Sequence, residues 1–445
     1  MDDVRRRSTC PGTRGTLALA AFCLWSTSPP LSGQCLGPEQ RITASDADDA
    51  DRFGHSVDVF GDLAVVGAPG DDEEATNAGA AYVFQRENGV WTELQKLTAG
   101  DDAVQFDEFG WDVDVEGDLI AVGAPGDDDA GNDSGAVYLF EWNGASWEEI
   151  TKLLPADMSN AAYTFGTSVD IGIDVPDENP PNVVTVVAVG APRADVFEGV
   201  VFLYQRVGPA WPLIGRLVDS DTMGPNDNGE LGASIAVRGD ALLSGSPLDD
   251  QLGGNVGTAY LFGRGQIIDS WVESVQYDPT DPAPGDGFGA AVAVARRFDT
   301  YVVAIGAPSV LGPGAGRAFV WDSVGPPEVL TEGGNQDAFG AALALFGRTL
   351  VVGAHGDDEG GQDAGAIYVY TQDELGVWQS DGKILASDAG VEKEFGWAVA
   401  ARHGSVIVGA PEEDALTPGT AYLHDCRIFG DGFESGGLSS WTIVR

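Results

Sequence analysis

Basic residues are scarce in this chain: 23 Lys and Arg stand against 70 Asp and Glu in 445 residues, a formal charge of −47. Phosphate recognition rests on Lys and Arg, so nucleic acids and anionic membrane surfaces are excluded as partners. The same balance favours cations, above all Ca²⁺. Long apolar runs are missing too. The N-terminal run Thr16–Trp25 is too short to span a bilayer, and no later segment reaches about 18 apolar residues, so the mature chain is expected to be soluble, without a transmembrane segment. Histidine is reduced to His55, His355, His403 and His424, none at a metal-ligand spacing such as H-E-x-x-H, and each reads as structural. A G-x-S-x-G elbow and a phosphate loop are absent, as is any sustained helical period. These absences point away from an enzyme.

Glycine is abundant instead, 62 of 445 residues, which with many Val and Ala suits short strands and tight turns. The N-terminus has the layout of an export signal, with Arg5, Arg6, Arg7 and Arg14, then Thr16–Trp25, then the small residues Ser26–Gly33. We therefore expect residues 1–33 to be a cleaved signal peptide and the protein to be secreted or held at the cell surface.

A Phe-Gly pair recurs at Phe53-Gly54, Phe109-Gly110, Phe165-Gly166, Phe288-Gly289, Phe339-Gly340 and Phe395-Gly396, with Leu231-Gly232 in the remaining slot. A Gly-Ala-Pro follows, for example at Gly67, Gly123 and Gly190, with Gly245-Ser246-Pro247 and Gly353-Ala354-His355 as degenerate copies. A Gly-small-x-aromatic strand comes next, as in GAAYVF from Gly79 and GTAYLH from Gly419. Each repeat reads as four strands, in the first GHSVDVF, DLAVVGA, GAAYVF and WTELQKLT. Seven such units predict an all-β fold: a seven-bladed β-propeller of four-stranded antiparallel blades over residues 34–426. The Phe of each pair is expected to wedge between blades. Trp91, Trp147, Trp211, Trp271 and Trp378, at the fourth strands, are expected to cover blade edges.

The last repeat lacks a fourth strand, while an orphan strand of that type, EQRITAS, lies at Glu39–Ser45. The N-terminal strand should therefore complete the last blade. On this alignment Cys426 corresponds to Arg86 and Cys35 to Val90, flanking a three-residue turn across an antiparallel pair. That suits a Cys35–Cys426 disulfide in an oxidising compartment, Cys10 and Cys23 leaving with the signal. Non-reducing peptide mapping without a Cys35–Cys426 peptide would remove the bridge.

These motifs resemble FG-GAP repeat proteins, best known from the N-terminal propellers of integrin α subunits. The resemblance implies an extracellular propeller for adhesion or ligand binding, sometimes helped by Ca²⁺. Integrin-type blades often carry an Asp-rich Ca²⁺ loop between their first two strands. Here that hairpin is minimal, as at Phe60-Gly61-Asp62 and Glu116-Gly117-Asp118, and the one long insertion, Asp174–Asn182, misses the motif. The family's metal sites are accordingly not carried over; the short hairpin is similar to the bacterial variant of the repeat. The tail, residues 427–445, is glycine-rich and resembles a C-terminal motif of secreted bacterial proteins, which leaves a sorting or attachment signal, the first strand of a lost module and a plain flexible tail as its readings.

Acidic residues gather in the loops between second and third strands and in those preceding each Phe-Gly. Both loop families fall at one end of the blades, giving an acidic face. Carboxylate oxygens suit Ca²⁺, and the candidate ligands are Asp71 and Asp72, Asp127, Asp128, Asp129 and Asp133, and Asp357, Asp358 and Asp363. Solvated turns explain the same composition. The sequence thus describes a monomeric, non-enzymatic propeller that binds an extracellular protein or polysaccharide, with Ca²⁺ as its cofactor. A hydrolase or lyase on the acidic face, or a structural surface component, is the alternative. An enzyme should show one blade-asymmetric cluster of His, Arg and carboxylates at the central channel.

Overall fold

The computed structural model describes residues 36–155, 162–178, 181–220, 228–265, 270–297, 300–309, 314–322, 325–402, 404–412 and 417–426. The expected signal (1–33), Cys35, His403 and the tail (427–445) lie outside them. Seven four-stranded antiparallel sheets follow one another, each a meander from inner to outer strand. Blade 1 runs Ser56–Phe60, Leu63–Ala68, Ala80–Glu87 and Val90–Leu97. Blade 7 takes three strands from the C-terminal end, Ala398–Arg402, Ser405–Ala410 and Thr420–Cys426, and its fourth, Leu36–Ile42, from the N-terminal end. The ring is closed as the orphan strand predicted. The insertion in blade 3 lengthens its first two strands to Ser168–Glu178 and Pro181–Ala191.

Seven buried clusters hold the ring, each drawing on two neighbouring blades. Val65, Val83 and Leu97 of blade 1, for instance, pack with Phe109, Ile120 and Phe140 of blade 2. The Phe of each pair is fully buried in such a cluster and meets the third-strand aromatic edge-on, at centroid distances from 5.1 Å (Phe395–Tyr422) to 5.5 Å (Phe53–Tyr82). The tryptophans also fill these clusters rather than covering outer edges: Trp91, Trp147 and Trp378 are at most 5% exposed. Large rings at the outer end fill the gap where radiating blades diverge.

The two glycine motifs interlock. A Cβ placed on Gly67 would lie 2.0 Å from the carbonyl oxygen of Gly110 in the next blade. The same approach recurs from Gly123 to Gly166, Gly190 to Gly232, Gly245 to Gly289, Gly306 to Gly340 and Gly353 to Gly396, and from Gly409 to Gly54 across the closure. Only a residue without a side chain lets the strands meet this closely.

Side chains cap the exposed strand edges. Gln40 bonds both the backbone N–H and the carbonyl of Trp91, and Gln95 does the same for Trp147. Glu93 accepts from the N–H and hydroxyl of Ser45, as Glu39 does from Ser387. Glu39 and Gln40 belong to the N-terminal strand, so that strand carries the latches of an ordinary outer strand.

The disulfide alignment needs one correction. Blade 1 joins its last two strands through a two-residue turn, Asn88-Gly89, with φ of 53° and 81°, so Arg86 pairs with Trp91 and not with Val90. Correspondingly, Cys426 pairs with Leu36, one residue on from Cys35.

Candidate functional site

The first aspartate of the acidic loops does not face outward. Asp71, Asp127 and Asp357 are 4%, 2% and 2% exposed. In blade 2 the Tyr138 hydroxyl donates to Asp127 at 3.0 Å, and the Lys152 ammonium lies 2.7 Å from Asp127 and 2.5 Å from Asp129. Blade 1 repeats this with Tyr82 at 2.7 Å and Lys96 at 2.8 Å from Asp71; blade 6 repeats it with Tyr368 at 3.1 Å and Lys383 at 2.5 Å from Asp357. Burial alone would lower the Lys152 pKa, but its bonds to Asp127 and Asp129 more than offset that and hold it above the usual lysine range. A folded-state lysine raised in this way adds stability below its ordinary pKa that is lost only as strongly alkaline pH is reached. Each buried carboxylate thus already holds an internal cation.

The remaining aspartates divide by position. Asp72, Asp128, Asp129 and Asp358 are exposed. Asp133 and Asp363 have φ of 49° and 50°, and the same slot in blades 1 and 4 is Asn77 and Asn255, φ 51° and 56°. This left-handed position favours Asn, Asp or Gly, so backbone geometry accounts for these two acids. Their N–H groups bond the side chains of Asp128 and Asp358, closing each loop on itself. Among the described residues no three acidic, histidine or cysteine side chains converge as a metal site would require.

Inner strands line a central channel of about 390 Å³. Its wall is divided. Blades 1 to 3 present Asp58, Asp114 and Asp170 four residues after the motif glycine, where blades 4 to 7 carry Ala236, Ala293, Ala344 and Ala400. Two residues nearer the glycine stand Ser56, Asp112, Ser168 and Ser234, then Ala291, Ala342 and Ala398. Arg238 lies 3.2 Å from Asp170. Arg402 reaches Glu116, two blades away, and lies 4.9 Å over the Phe60 ring. His55, Trp111 and Trp397 gather where the inner strands begin, His55 4.6 Å from Trp111. Burial and the nearby Arg52 lower His55 to about 3, keeping it neutral.

A sequence reading of loops passed over this cluster, though the Asp-to-Ala switch at one repeat slot was there to find. Its composition meets the asymmetry expected of a catalytic channel. Its hydrogen bonds, however, serve the ring. Asp58 accepts from Val115 N–H at 2.9 Å, Asp112 from Val169 at 2.7 Å, Asp114 from Ile171 at 2.9 Å and Asp170 from Val237 at 2.9 Å. Each carboxylate caps the open inner edge of the next blade.

These carboxylates crowd one another. Burial, then Asp170 and Asp58, raise Asp112 to about 7 against its backbone bonds; burial, then Asp58 and Asp170, hold Asp114 well above the usual range. A carboxyl whose pKa rises on folding contributes stability that is present below its unfolded value of about 4 and is lost as pH climbs through the folded value. Melting temperature should therefore be a few degrees higher at pH 5 than at pH 7.5. Serine fills the Asp112 slot in blades 1, 3 and 4. In an Asp112→Ser variant the difference should shrink; an unchanged difference in thermal melts removes Asp112 as its source.

The FG-GAP repeat family matches residues 37–84, 91–140, 330–370 and 378–424. No curated protein matches. The crystal structure of Saccharomyces cerevisiae Sqt1 is similar at 12% identity and a TM-score of 0.44, over 82% of this chain and 81% of that one. The matched segments contain the Asp–Tyr–Lys anchors of blades 1 and 6 and Asp127 and Tyr138 of blade 2, while Lys152 lies outside them; blade 3, also outside, has Ala194, Phe202 and Arg216 in the corresponding slots. The motif glycines, the wedged Phe and the ring of seven sheets agree with that match. The chain is a seven-bladed β-propeller, four stretches of which match the FG-GAP repeat family.

Proposed function

We propose that this protein is an extracellular, non-enzymatic binding propeller that engages a protein or polysaccharide through its acidic loop face. The observation carrying this reading is the repetition of one loop design in blades 1, 2 and 6. A buried Asp–Tyr–Lys anchor fixes each loop, so that Asp72, Asp128 and Asp358 are presented from rigid supports. Repeated, equivalent positions suit an extended ligand carrying positive charge or bridging cations. Calcium fits here only on the exposed carboxylates, because Asp71, Asp127 and Asp357 are neutralised from within. The export segment and a Cys35–Cys426 bridge belong to the same extracellular reading. Arrays of extracellular proteins and polysaccharides, probed with and without millimolar Ca²⁺, test it. A hit should weaken at least about tenfold in the Asp72→Asn/Asp128→Asn/Asp358→Asn variant. Equal binding by that variant removes the loop face from the reading; no heat on Ca²⁺ titration, with an unshifted melting temperature, removes calcium.

A hydrolase or lyase is the second reading, favoured by the asymmetric channel. It requires Asp112 or Asp114 to act on a substrate while bound to backbone N–H groups. Turnover of a polysaccharide panel that is lost in Asp114→Ala would establish it.

A further inference from the structure

The channel is lined by the inner strands and by none of the acidic-loop carboxylates, and has a chemistry of its own. Four aspartates line it (Asp58, Asp112, Asp114 and Asp170) against Arg238 and Arg402, of which Arg238 is paired with Asp170 and Arg402 with Glu116. The opposite wall carries only alanine, valine and leucine, including Ala291, Ala293, Ala342 and Ala344. We propose that this channel binds a linear alkylammonium, a diamine or polyamine, its ammonium groups on the Asp58–Asp114–Asp170 wall and its methylene chain along the alanine wall.

Charge, wall chemistry and volume select this class together. Excess carboxylate rejects anions. No three of these side chains converge as a metal ion needs, among the described residues. A bare cation would also leave the apolar wall unused, whereas an alkyl chain gains by covering it. A cavity of about 390 Å³ stands at the small end of ligand sites, too tight for a folded partner. A backbone N–H bonds Oδ2 of each of Asp58, Asp114 and Asp170, and an ionised carboxylate retains further acceptor positions for an ammonium donor. Burial, then the neighbouring Asp58 and Asp170 on the same wall, hold the Asp114 carboxyl well above the usual range, so that it keeps a proton. An arriving ammonium supplies its own positive charge in place of that proton, which passes to the buffer. Binding is thus coupled to proton release. Arg238, Arg402, His55, Glu116 and Asp112 are the other charged or titratable groups facing this wall; inner-strand residues of blades 5 and 6 add none to the channel lining.

Calorimetry with spermidine tests this, run at about 0.3 M salt, which screens exposed charges beyond ~6 Å, and in two buffers of different ionisation enthalpy. The expected result is one saturable event whose heat depends on the buffer, as proton release demands. Asp114→Ala/Asp170→Ala should weaken it by about tenfold or more. Alanine is the residue of four other blades in that slot, so the variant is expected to fold; Asp114→Asn serves as a second, less intrusive variant. Asp128→Asn/Asp358→Asn, on the loop face, should bind like the parent. Absence of saturable heat, equal affinity in the channel variants, or loss in the loop variant would each overturn the assignment, the last marking surface attraction only. The first two outcomes leave ligand capture by the loop face untouched; the last places the cation there.

Discussion

Gly123→Ala is expected to destabilise the protein by about 3–5 kcal/mol, lowering its melting temperature by at least about 5 °C. Gly123 lies in an extended strand without a positive φ, so nothing in its own backbone forbids alanine. At such positions alanine usually stabilises slightly, by restricting the unfolded chain. The neighbouring blade reverses the sign. An added Cβ would stand 2.1 Å from the carbonyl oxygen of Gly166 and 3.0 Å from its carbon. Both atoms are backbone, so no side-chain rotation relieves the contact. The Gly166 N–H donates to the Gly190 carbonyl within its own blade, which holds it in place. Relief requires blades 2 and 3 to part, opening the core that contains Leu139, Phe165 and Phe202. Gly263→Ala is the control, since its nearest neighbour is the Ser274 hydroxyl at 3.9 Å, and it should stay within about 0.5 kcal/mol of the parent. Thermal melts that leave the two variants equally stable would refute glycine-mediated blade contact.

That contact explains why the fold was legible. Each blade must offer the same small residue to the same carbonyl, so the constraint repeats in sequence at Gly67, Gly123, Gly190 and onward. The loops were harder to read for the opposite reason. Asp127 depends on Lys152, 25 residues away and on another strand, and a run such as GDDDAGNDSG looks uniformly acidic until the fold separates its members. Asp127 turns inward to a cation, Asp128 and Asp129 face solvent, and Asp133 answers a backbone requirement. Three kinds of aspartate share one composition. The channel was hidden differently. Asp58, Asp114 and Asp170 sit singly in strands of alternating Val, and only the radial arrangement brings residues 56 positions apart onto one wall. Repeat structure reveals what every blade shares; the departures from it, at which blades 1 to 3 part from blades 4 to 7, gain meaning once the ring places them side by side.

Moving the N-terminal strand to the other end of the chain should leave the propeller intact, whereas deleting it should not. Ile42 is 6% exposed and packs with Phe53, Phe84 and Leu423 at the junction of blades 7 and 1. Arg41 pairs with Asp388 at 2.7 Å, and Gln40 caps Trp91. A chain starting at Asp46 loses all of these and exposes the edge of the Thr420–Cys426 strand, a template for association with other copies. We expect it to aggregate or to melt at least about 10 °C lower. In the permuted chain, residues 36–45 follow Cys426 through an Asn-Gly turn. Leu36 already pairs with Cys426, and blade 1 makes the equivalent connection with Asn88-Gly89, so the turn imposes no new geometry. The permuted protein should be monomeric, by light scattering, and melt within about 5 °C of the parent, because every contact of the strand is kept and the loop to be closed becomes short. Should both chains aggregate, the strand acts by being N-terminal and not as the fourth member of blade 7. Should both fold equally well, blade 7 is complete with three strands and closure by the N-terminal segment is ornamental.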